Sequence, residues 1–159
     1  AASDVYKRQV PGAAFARLEA ESDREVLTTM ARRLRELGAV AATFEEAVIA
    51  REERFPTGLP TAVPTALPHT DPEHVLIEGV AVATLAHPVQ FREMGSSSSS
   101  IEARFVVMML LKQAHSQLEA LQTLVARLQD VEAVEALASA VSDEDLFAAA
   151  SDWLAAGDA

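Results

Sequence analysis

Two histidines each follow a segment with the apolar pattern of a strand, and either imidazole has the chemistry of a nucleophile. His69 comes directly after Pro68, and His115 comes shortly after the apolar run that ends at Leu111. Proline has a fixed φ and no N–H, so Pro68 indicates the end of a strand rather than its middle. A neutral imidazole is nucleophilic, and histidine is largely neutral near pH 7. We therefore expect His69 to be presented in a loop at a strand end, where reactive groups are commonly carried.

His115 lies at the start of a predicted helix, and two placements are open for it. It either packs on the helix face with Leu118, or lies just outside the helix, because Ser116 and Glu119 have the spacing of a capping box. Both placements put it beside the free N–H groups of a helix start, which attract anions such as phosphate. Ligands gather at strand ends in open α/β sheets, so His69 and His115 are candidates for one site.

Of the other two histidines, His74 is predicted to be a solvated surface residue and His87 to be structural. His74 follows acidic neighbours in a turn that contains Pro72, and His87 precedes Pro88 at a predicted strand end. His69 and His74 could suggest metal ligands, but the stretch between them offers no convincing third partner. The sequence also has no glycine-rich phosphate loop and no nucleophile elbow. We therefore predict no metal and no cofactor. The acidic residues of the helices are interpreted as solvated faces.

Composition restricts the class of protein. The chain has 159 residues, which fits one domain, and half of them are apolar, which argues against general disorder. Its 13 Lys and Arg residues against 24 Asp and Glu residues give a net charge of −11, which argues against a nucleic-acid partner. There is no cysteine, and there is no apolar run of about 18 residues that would insert into a membrane. These features suit a cytoplasmic protein.

Apolar periodicity and capping signals predict five helices and several strands. The predicted helices run from Ser22 or Asp23 to Leu37, from Phe44 to Arg54 behind a Thr43–Glu46 capping box, from near Leu118, from Val131 to Ala140, and from Ser142 to Trp153. The predicted strands are a broken one over Thr61–Leu67, one or two over Val75–Leu85, a short one over Val89–Phe91, and a central one over Ile101–Leu111, which we expect to be covered on both faces.

Strands interleaved with helices predict an α/β fold: a single-domain sandwich with a mixed β-sheet flanked by helices, although an α+β layer fold is also compatible. We expect residues 1–11 to be a disordered N-terminal segment or a cloning scar, and residues 12–155 to form the domain. The stretch Gly95–Ser100, with its five serines, is interpreted as a mobile surface loop.

Residues 55–61 (FPTGLPT) and 66–71 (ALPHTD) resemble the enzyme IIA components of the bacterial phosphoenolpyruvate-dependent sugar phosphotransferase system. The resemblance is to the fructose/mannitol class, and within it to the galactitol-type branch, which has Pro-His-Thr-Asp where many relatives have Pro-His-Gly. It covers residues 12–155, with several motifs in the same order. The departures are the N-terminus and the serine run, which replaces a charged loop.

The resemblance implies the same fold and a phosphohistidine-forming phosphotransferase. His69 matches the residue that accepts a phosphoryl group from phospho-HPr and passes it to enzyme IIB, and through it to the membrane component enzyme IIC. His115, within residues 114–121 (AHSQLEAL), matches the family's second active-site histidine. Arg51 matches an arginine close to the phosphohistidine, although Arg54 is a nearby alternative.

Two other functions are compatible with the sequence. The chain could be a regulatory enzyme IIA-like module that signals its phosphorylation state to a transcription factor or an enzyme. It could also be a non-enzymatic acidic interaction domain, in which both His69 and His115 are structural. The sequence does not identify the sugar or polyol.

Overall fold

The computed structural model describes residues 6–156. Within them, five strands form one sheet, and five α-helices pack on its two faces. The strands are β1 (Gln9–Leu18), β2 (Gly58–Leu59), β3 (Thr65–Ala66), β4 (Gly79–Arg92) and β5 (Ser100–Leu110). The helices are α1 (Asp23–Glu36), α2 (Phe44–Arg54), α3 (Gln117–Leu128), α4 (Val131–Ala138) and α5 (Asp143–Ala155). Single 3-10 turns occupy Pro72–His74 and Ala114–Ser116.

The sheet is mixed, with the strand order β1-β4-β5-β3-β2. Strands β4 and β5 form a long antiparallel pair, whereas β1 joins β4 and β3 joins β5 in parallel. This arrangement confirms the predicted α/β fold with a mixed sheet flanked by helices, and it places β5 at the centre, as predicted. Because β3 and β5 run in parallel, the chain that leaves β3 emerges at the same end of the sheet as the chain that leaves β5.

Two apolar clusters cover the two faces of the sheet. Helices α1 and α2 pack on one face, and α3, α4 and α5 pack on the other. Successive side chains of a strand point to opposite faces. On β5, one face carries Val106, Met108 and Leu110, and the other carries Phe105, Val107 and Met109. The β5 strand is therefore buried on both sides, which explains its continuous apolar sequence.

Strand β1 was not predicted. It begins at Gln9, so its first residues fall in the segment 1–11 that we expected to be disordered, and residues 1–5 lie outside the described residues. The sequence signal is weak because Pro11 and Gly12 interrupt the alternation and the pairing with β4 is irregular. Burial of Val10 and Ala13 nevertheless holds the strand at the edge of the sheet.

Other boundaries also differ from the predictions. The separate strands expected over Val75–Leu85 and Val89–Phe91 form one strand, β4, with a register shift between Thr84 and Val89. The strand expected over Thr61–Leu67 is reduced to the two residues of β3. The short strand β2 lies between the helix predicted over Phe44–Arg54 and the strand predicted over Thr61–Leu67, where no strand was predicted. Residues 93–99 connect β4 to β5, with the Ser96 hydroxyl accepting hydrogen bonds from the N–H groups of Ser98 and Ser99 at 3.2 and 2.9 Å.

The predicted helix caps are confirmed in part. Ser22 and Ser142 cap α1 and α5 by accepting hydrogen bonds from the N–H groups three residues on. The capping boxes predicted at Thr43 and Ser116 are wrong, since neither hydroxyl caps its helix. The Thr43 hydroxyl is instead 2.8 Å from Nδ1 of His74, a longer-range partner that sequence spacing does not reveal. Among residues 6–156, no helix is long and apolar enough to cross a membrane.

Candidate active site

His69 lies three residues after β3, at the end of the sheet where β5 also finishes. The N–H of Met109 on β5 donates to the Pro68 carbonyl at 3.0 Å, and His69 itself forms an isolated parallel bridge with Met109. The loop that carries the imidazole is therefore tied to the central strand. The prediction that Pro68 ends the strand and that His69 follows it in a loop is confirmed.

One ring nitrogen of His69 is already occupied by the chain. Its Nδ1 is 2.9 Å from the carbonyl oxygen of Leu67, and a carbonyl oxygen can only accept a hydrogen bond. Nδ1 must therefore carry a proton, which leaves Nε2 of the neutral ring with a free lone pair. The ring is half-buried. This arrangement is that of an imidazole with Nε2 as the nucleophilic atom.

The surroundings of His69 favour its neutral form. Burial of the ring lowers its pKa below the usual 6.5, and the positive charge of Arg51 acts in the same direction. The Leu67 carbonyl and the carboxylate of Asp71 oppose this shift but do not cancel it. Since burial is the largest effect, the lowered pKa favours the neutral imidazole, whose Nε2 lone pair can attack an electrophile.

Arg51, in the last turn of α2, reaches the loop that follows His69. Its Nη1 donates to Oδ1 of Asp71 at 2.9 Å, and its Nε is buried with no hydrogen-bond partner among the described residues. Arg54, the alternative arginine, lies over the ring of Phe55, with its guanidinium carbon 5.6 Å from the ring centroid. The charge of Arg51 acts on His69, whereas Arg54 is not among the groups that shift the His69 pKa. The geometry therefore favours Arg51 as the site arginine.

A shallow cavity of about 200 Å³ adjoins this ion pair. It is lined by Ala47, Ala50, Arg51, Arg54, Phe55, Asp71 and His74. Phe55 is unusually exposed for an aromatic residue, with 57% of its surface accessible. The expectation that His74 is a solvated surface residue is wrong, because it is half-buried and bonded to Thr43.

A buried carboxyl group that was not predicted from the sequence lies behind the site. Glu52 is only 6% exposed, and its two oxygens accept hydrogen bonds from the N–H and the hydroxyl of Thr57, both at 2.8 Å. Burial raises the Glu52 pKa from 4.5 to about 7, although the two bonds from Thr57 lower it. The expectation that the helix carboxylates form solvated faces is wrong at this position. The available signal was the short distance along the chain to Thr57, just after the helix-breaking Pro56.

His115 is exposed, in the 3-10 turn that precedes α3. Two residues further on, Nε2 of Gln117 donates to the carbonyl of Thr70 at 3.3 Å, so the start of α3 contacts the loop that follows His69. The structure thus brings the two segments together, while His115 makes no hydrogen bond with the described residues. His87 is exposed on β4 beyond Thr84, away from the strand end that pairs with Met109.

Residues 6–156 contain no group of three or more His, Asp or Glu side chains placed to hold a metal ion. The polar groups that act on His69 are instead the Arg51 guanidinium, the Asp71 carboxylate and the Leu67 carbonyl. Arginine and backbone N–H groups are the usual partners of phosphoryl oxygens.

The fold and the position of this histidine define a single-domain α/β protein of the enzyme IIA class. The chain belongs to the family described as phosphoenolpyruvate-dependent sugar phosphotransferase system, EIIA 2, whose sequence model matches residues 11–152. Membership of this family implies a phosphotransferase role. The family named in the sequence analysis is therefore confirmed.

Solved structures support the fold. The chain is similar to the mannitol enzyme IIA of Escherichia coli, with 23% identity, a TM-score of 0.68, and coverage of 87% of this chain and 95% of that one. It is similar to a complex of enzyme IIA and phosphorylated enzyme IIB for mannitol from the same organism, with 22% identity, a TM-score of 0.71, and coverage of 90% and 96%. The nitrogen regulatory protein IIA-Ntr of Neisseria meningitidis matches with 20% identity, a TM-score of 0.65, and coverage of 87% and 92%. A search of curated proteins gave no match.

Proposed function

We propose that this protein is a cytoplasmic phosphocarrier that accepts a phosphoryl group from phospho-HPr on His69 and passes it to a cognate enzyme IIB. The observation that carries the proposal is the hydrogen bond between Nδ1 of His69 and the Leu67 carbonyl, because it leaves Nε2 as the free nucleophile. Family membership supplies the reaction class. Enzyme IIB would connect the carrier to the membrane component enzyme IIC.

The chemistry needs little more than positioning and charge stabilisation. The Nε2 lone pair of His69 attacks the phosphorus of the donor phosphohistidine in line. The new P–N bond forms as the donor's P–N bond breaks, and the bonding electrons return to the donor imidazole. The Nδ1 proton of His69 stays on Nδ1 throughout, hydrogen-bonded to the Leu67 carbonyl. In the second transfer, the acceptor group of enzyme IIB attacks the phosphorus, the P–N bond to His69 breaks, and its electrons return to the His69 imidazole.

Arg51 is assigned to the phosphorylated state. A phosphoryl group adds negative charge and several strong acceptor oxygens beside it. Its Nη1 is engaged by Asp71, but its Nε donor has no partner among the described residues. A guanidinium with a spare buried donor next to the nucleophile is well suited to hold a phosphoryl oxygen. Arg54, stacked on Phe55, is the weaker candidate.

His115 is assigned as the second active-site histidine. Its support is indirect: the α3 segment that follows it contacts Thr70, the residue next to His69. Since His115 is exposed, its imidazole is free to reach a phosphoryl group or a partner docked over His69. We expect it to act mainly in onward transfer.

The galactitol-type branch is proposed from the run Pro68-His69-Thr70-Asp71. In this chain Asp71, the last residue of the run, forms the ion pair with Arg51. This branch would make the transported compound a polyol or a related sugar. The net charge of −11 favours partners with complementary basic surfaces around their phosphorylated residue.

The test is an intact-mass measurement after incubation with phosphoenolpyruvate, enzyme I and HPr. We expect one acid-labile phosphate on the wild type, none on His69→Ala, and one on His87→Ala, which removes an exposed histidine far from the site. Phosphorylation of His69→Ala would refute the assignment of the acceptor. No mass shift in the wild type would refute the phosphocarrier function itself.

A further inference from the structure

The buried carboxyl group of Glu52 is connected to the imidazole of His69, the candidate nucleophile, through hydrogen bonds to Thr57 and to the backbone of Leu67. The Thr57 hydroxyl donates to Oε1 of Glu52 at 2.8 Å, and the Thr57 N–H donates to Oε2 at the same distance. The same hydroxyl accepts from the N–H of Leu67 at 3.1 Å. The carbonyl of Leu67 accepts from Nδ1 of His69 at 2.9 Å. The side chain of Thr57 and the backbone of Leu67 therefore separate the carboxyl group from the imidazole.

Each hydrogen bond in this series determines which atoms are free to form the next one. A hydroxyl has one proton to donate, so donation to Glu52 leaves the Thr57 oxygen with lone pairs only for its other neighbours. Those lone pairs then face the Leu67 N–H. Thr57 is 3% exposed and Leu67 is fully buried, so water does not compete for these bonds. The Thr57 carbonyl also lies 3.4 Å from the Leu67 nitrogen, so the Leu67 N–H is held by both the hydroxyl and the carbonyl of Thr57.

The effect on His69 is geometric. The N–H and the carbonyl of Leu67 belong to different peptide groups, so polarisation at one does not pass directly to the other. Fixing the N–H does fix the position of the residue, and hence the direction of its carbonyl. That carbonyl alone holds the Nδ1 proton of His69. If it moved, the imidazole could turn or adopt the tautomer with the proton on Nε2, which removes the nucleophilic lone pair.

We infer that Glu52, acting through Thr57, is a positioning residue that orients the Leu67 carbonyl and so keeps the Nε2 lone pair of His69 free and correctly aimed. The catalytic consequence of this inference rests on the proposed function, whereas the hydrogen bonds that support it do not. A buried carboxyl group is costly to retain, and among the described residues Glu52 forms no ion pair that would account for it. Positioning of His69 is a role that accounts for a carboxyl group buried at Glu52.

The test compares Thr57→Val with Thr57→Ser and with Thr84→Val. Valine has nearly the shape of threonine but lacks the hydroxyl that links Glu52 to Leu67, whereas serine retains it. Thr84 is a matched control, because it is also buried and its hydroxyl accepts a backbone hydrogen bond, from Arg17 at 2.8 Å, on strand β4 away from the site. Unfolding in urea, measured for all three variants, shows how far each loses stability.

Two readouts are needed. The first is the tautomer of His69 in protein labelled with ¹⁵N at its histidines, measured by nuclear magnetic resonance without any partner. The second is the single-turnover rate of phosphorylation by phospho-HPr at saturating donor. We expect Thr57→Val to place a substantial fraction of the proton on Nε2 and to slow transfer about 10- to 100-fold, since small misplacements have effects of that size. Thr57→Ser should restore both, and Thr84→Val should change neither.

The inference is overturned if Thr57→Val leaves the His69 tautomer and the transfer rate at the levels of Thr84→Val, even if it lowers stability. That result would make Glu52 and Thr57 a local structural pair only. The magnetic resonance readout does not depend on phosphorylation. If the wild type accepts no phosphate, the proposed function fails while the tautomer still decides whether Glu52 and Thr57 position His69.

Discussion

Arg51 and Asp71 join two segments of the site through a 2.9 Å ion pair between the last turn of α2 and the loop two residues beyond His69. The Arg51 side chain is about one quarter exposed, whereas that of Asp71 is mostly exposed. Exposed pairs of this kind add little stability. The pair matters more for position, since it holds the Arg51 guanidinium where its charge acts on His69.

The first prediction separates the two candidate arginines. Arg51→Ala should slow phosphorylation of His69 by about 100-fold, because removal of a preorganised donor to a transferring group typically has an effect of this order. Arg54→Ala, its matched control on the same helix, should change the rate by less than about threefold, since Arg54 contacts Phe55 rather than Asp71. Single-turnover rates by quench flow provide the measurement. A larger effect for Arg54→Ala would reverse the assignment.

The second prediction concerns stability and pH. The folded-state pKa of Glu52 is raised from 4.5 to about 7, so between these values the folded chain holds a proton that the unfolded chain releases. The free energy of unfolding should therefore fall by about 3 kcal/mol as the pH rises from 4.5 to 7. Asp23 reinforces the raised pKa, and Thr57 and Arg92 oppose it.

Glu52→Gln should remove this fall, and urea unfolding of both proteins at several pH values measures it. The variant should then reveal the opposite contribution of His69. Because the folded-state pKa of His69 is lowered, the unfolded chain binds its proton more tightly, and stability should decline as the pH falls below 6.5. Parallel curves for the wild type and the variant would show that Glu52 does not titrate in this range.

The third prediction concerns the pH dependence of phosphate acceptance. Burial lowers the pKa of His69, so Nε2 should remain unprotonated and reactive at pH values where an ordinary histidine is half cationic. The acceptance rate should stay level from pH 8 to below 6.5, and then decline. The titration of His69 itself, followed by nuclear magnetic resonance, is the independent check. A decline centred at or above 6.5 would contradict this prediction.

The fourth prediction concerns His115. His115→Ala should still accept phosphate from phospho-HPr but should transfer it more slowly to enzyme IIB, because the exposed ring does not hold His69 in place. Acceptance and onward transfer must be measured as separate single-turnover steps. His87→Ala, which removes another exposed histidine, serves as the control. Complete loss of acceptance in His115→Ala would instead show that this ring is needed for the first step.

The fifth prediction concerns Gly58, the residue after Thr57. A Cβ atom there would lie 2.6 Å from the Arg92 carbonyl oxygen and 2.9 Å from Cγ1 of Ile101, both far too close. Gly58→Ala should lower the free energy of unfolding by about 1–3 kcal/mol. Ile101→Ala, which removes Cγ1, should not rescue it, because the nearer obstacle is backbone. Urea unfolding of the single and double variants decides this, and full rescue would show that the side chain was the main obstacle.

Much of the fold follows from local patterns. The five helices are marked by apolar periodicity and, for α1 and α5, by a serine cap that the structure confirms. The central strand β5 is marked by its uninterrupted apolar run. Strand β1 was missed because its burial depends on pairing with β4, some 70 residues away, and not on a clear alternation of its own. The Thr43 capping box failed for the same kind of reason, since its hydroxyl is bonded to His74.

The sequence by itself determined that an imidazole follows Pro68 at a strand end, because proline terminates a strand whatever lies around it. Only the tertiary structure decided which atom of that imidazole is free, which arginine faces it and which carboxyl group supports it. Those decisions depend on hydrogen bonds from His69 to Leu67, from Arg51 to Asp71 and from Thr57 to Glu52. Local spacing cannot reveal them, because hydrogen-bond partners are chosen by distance and direction after the helices and strands have packed.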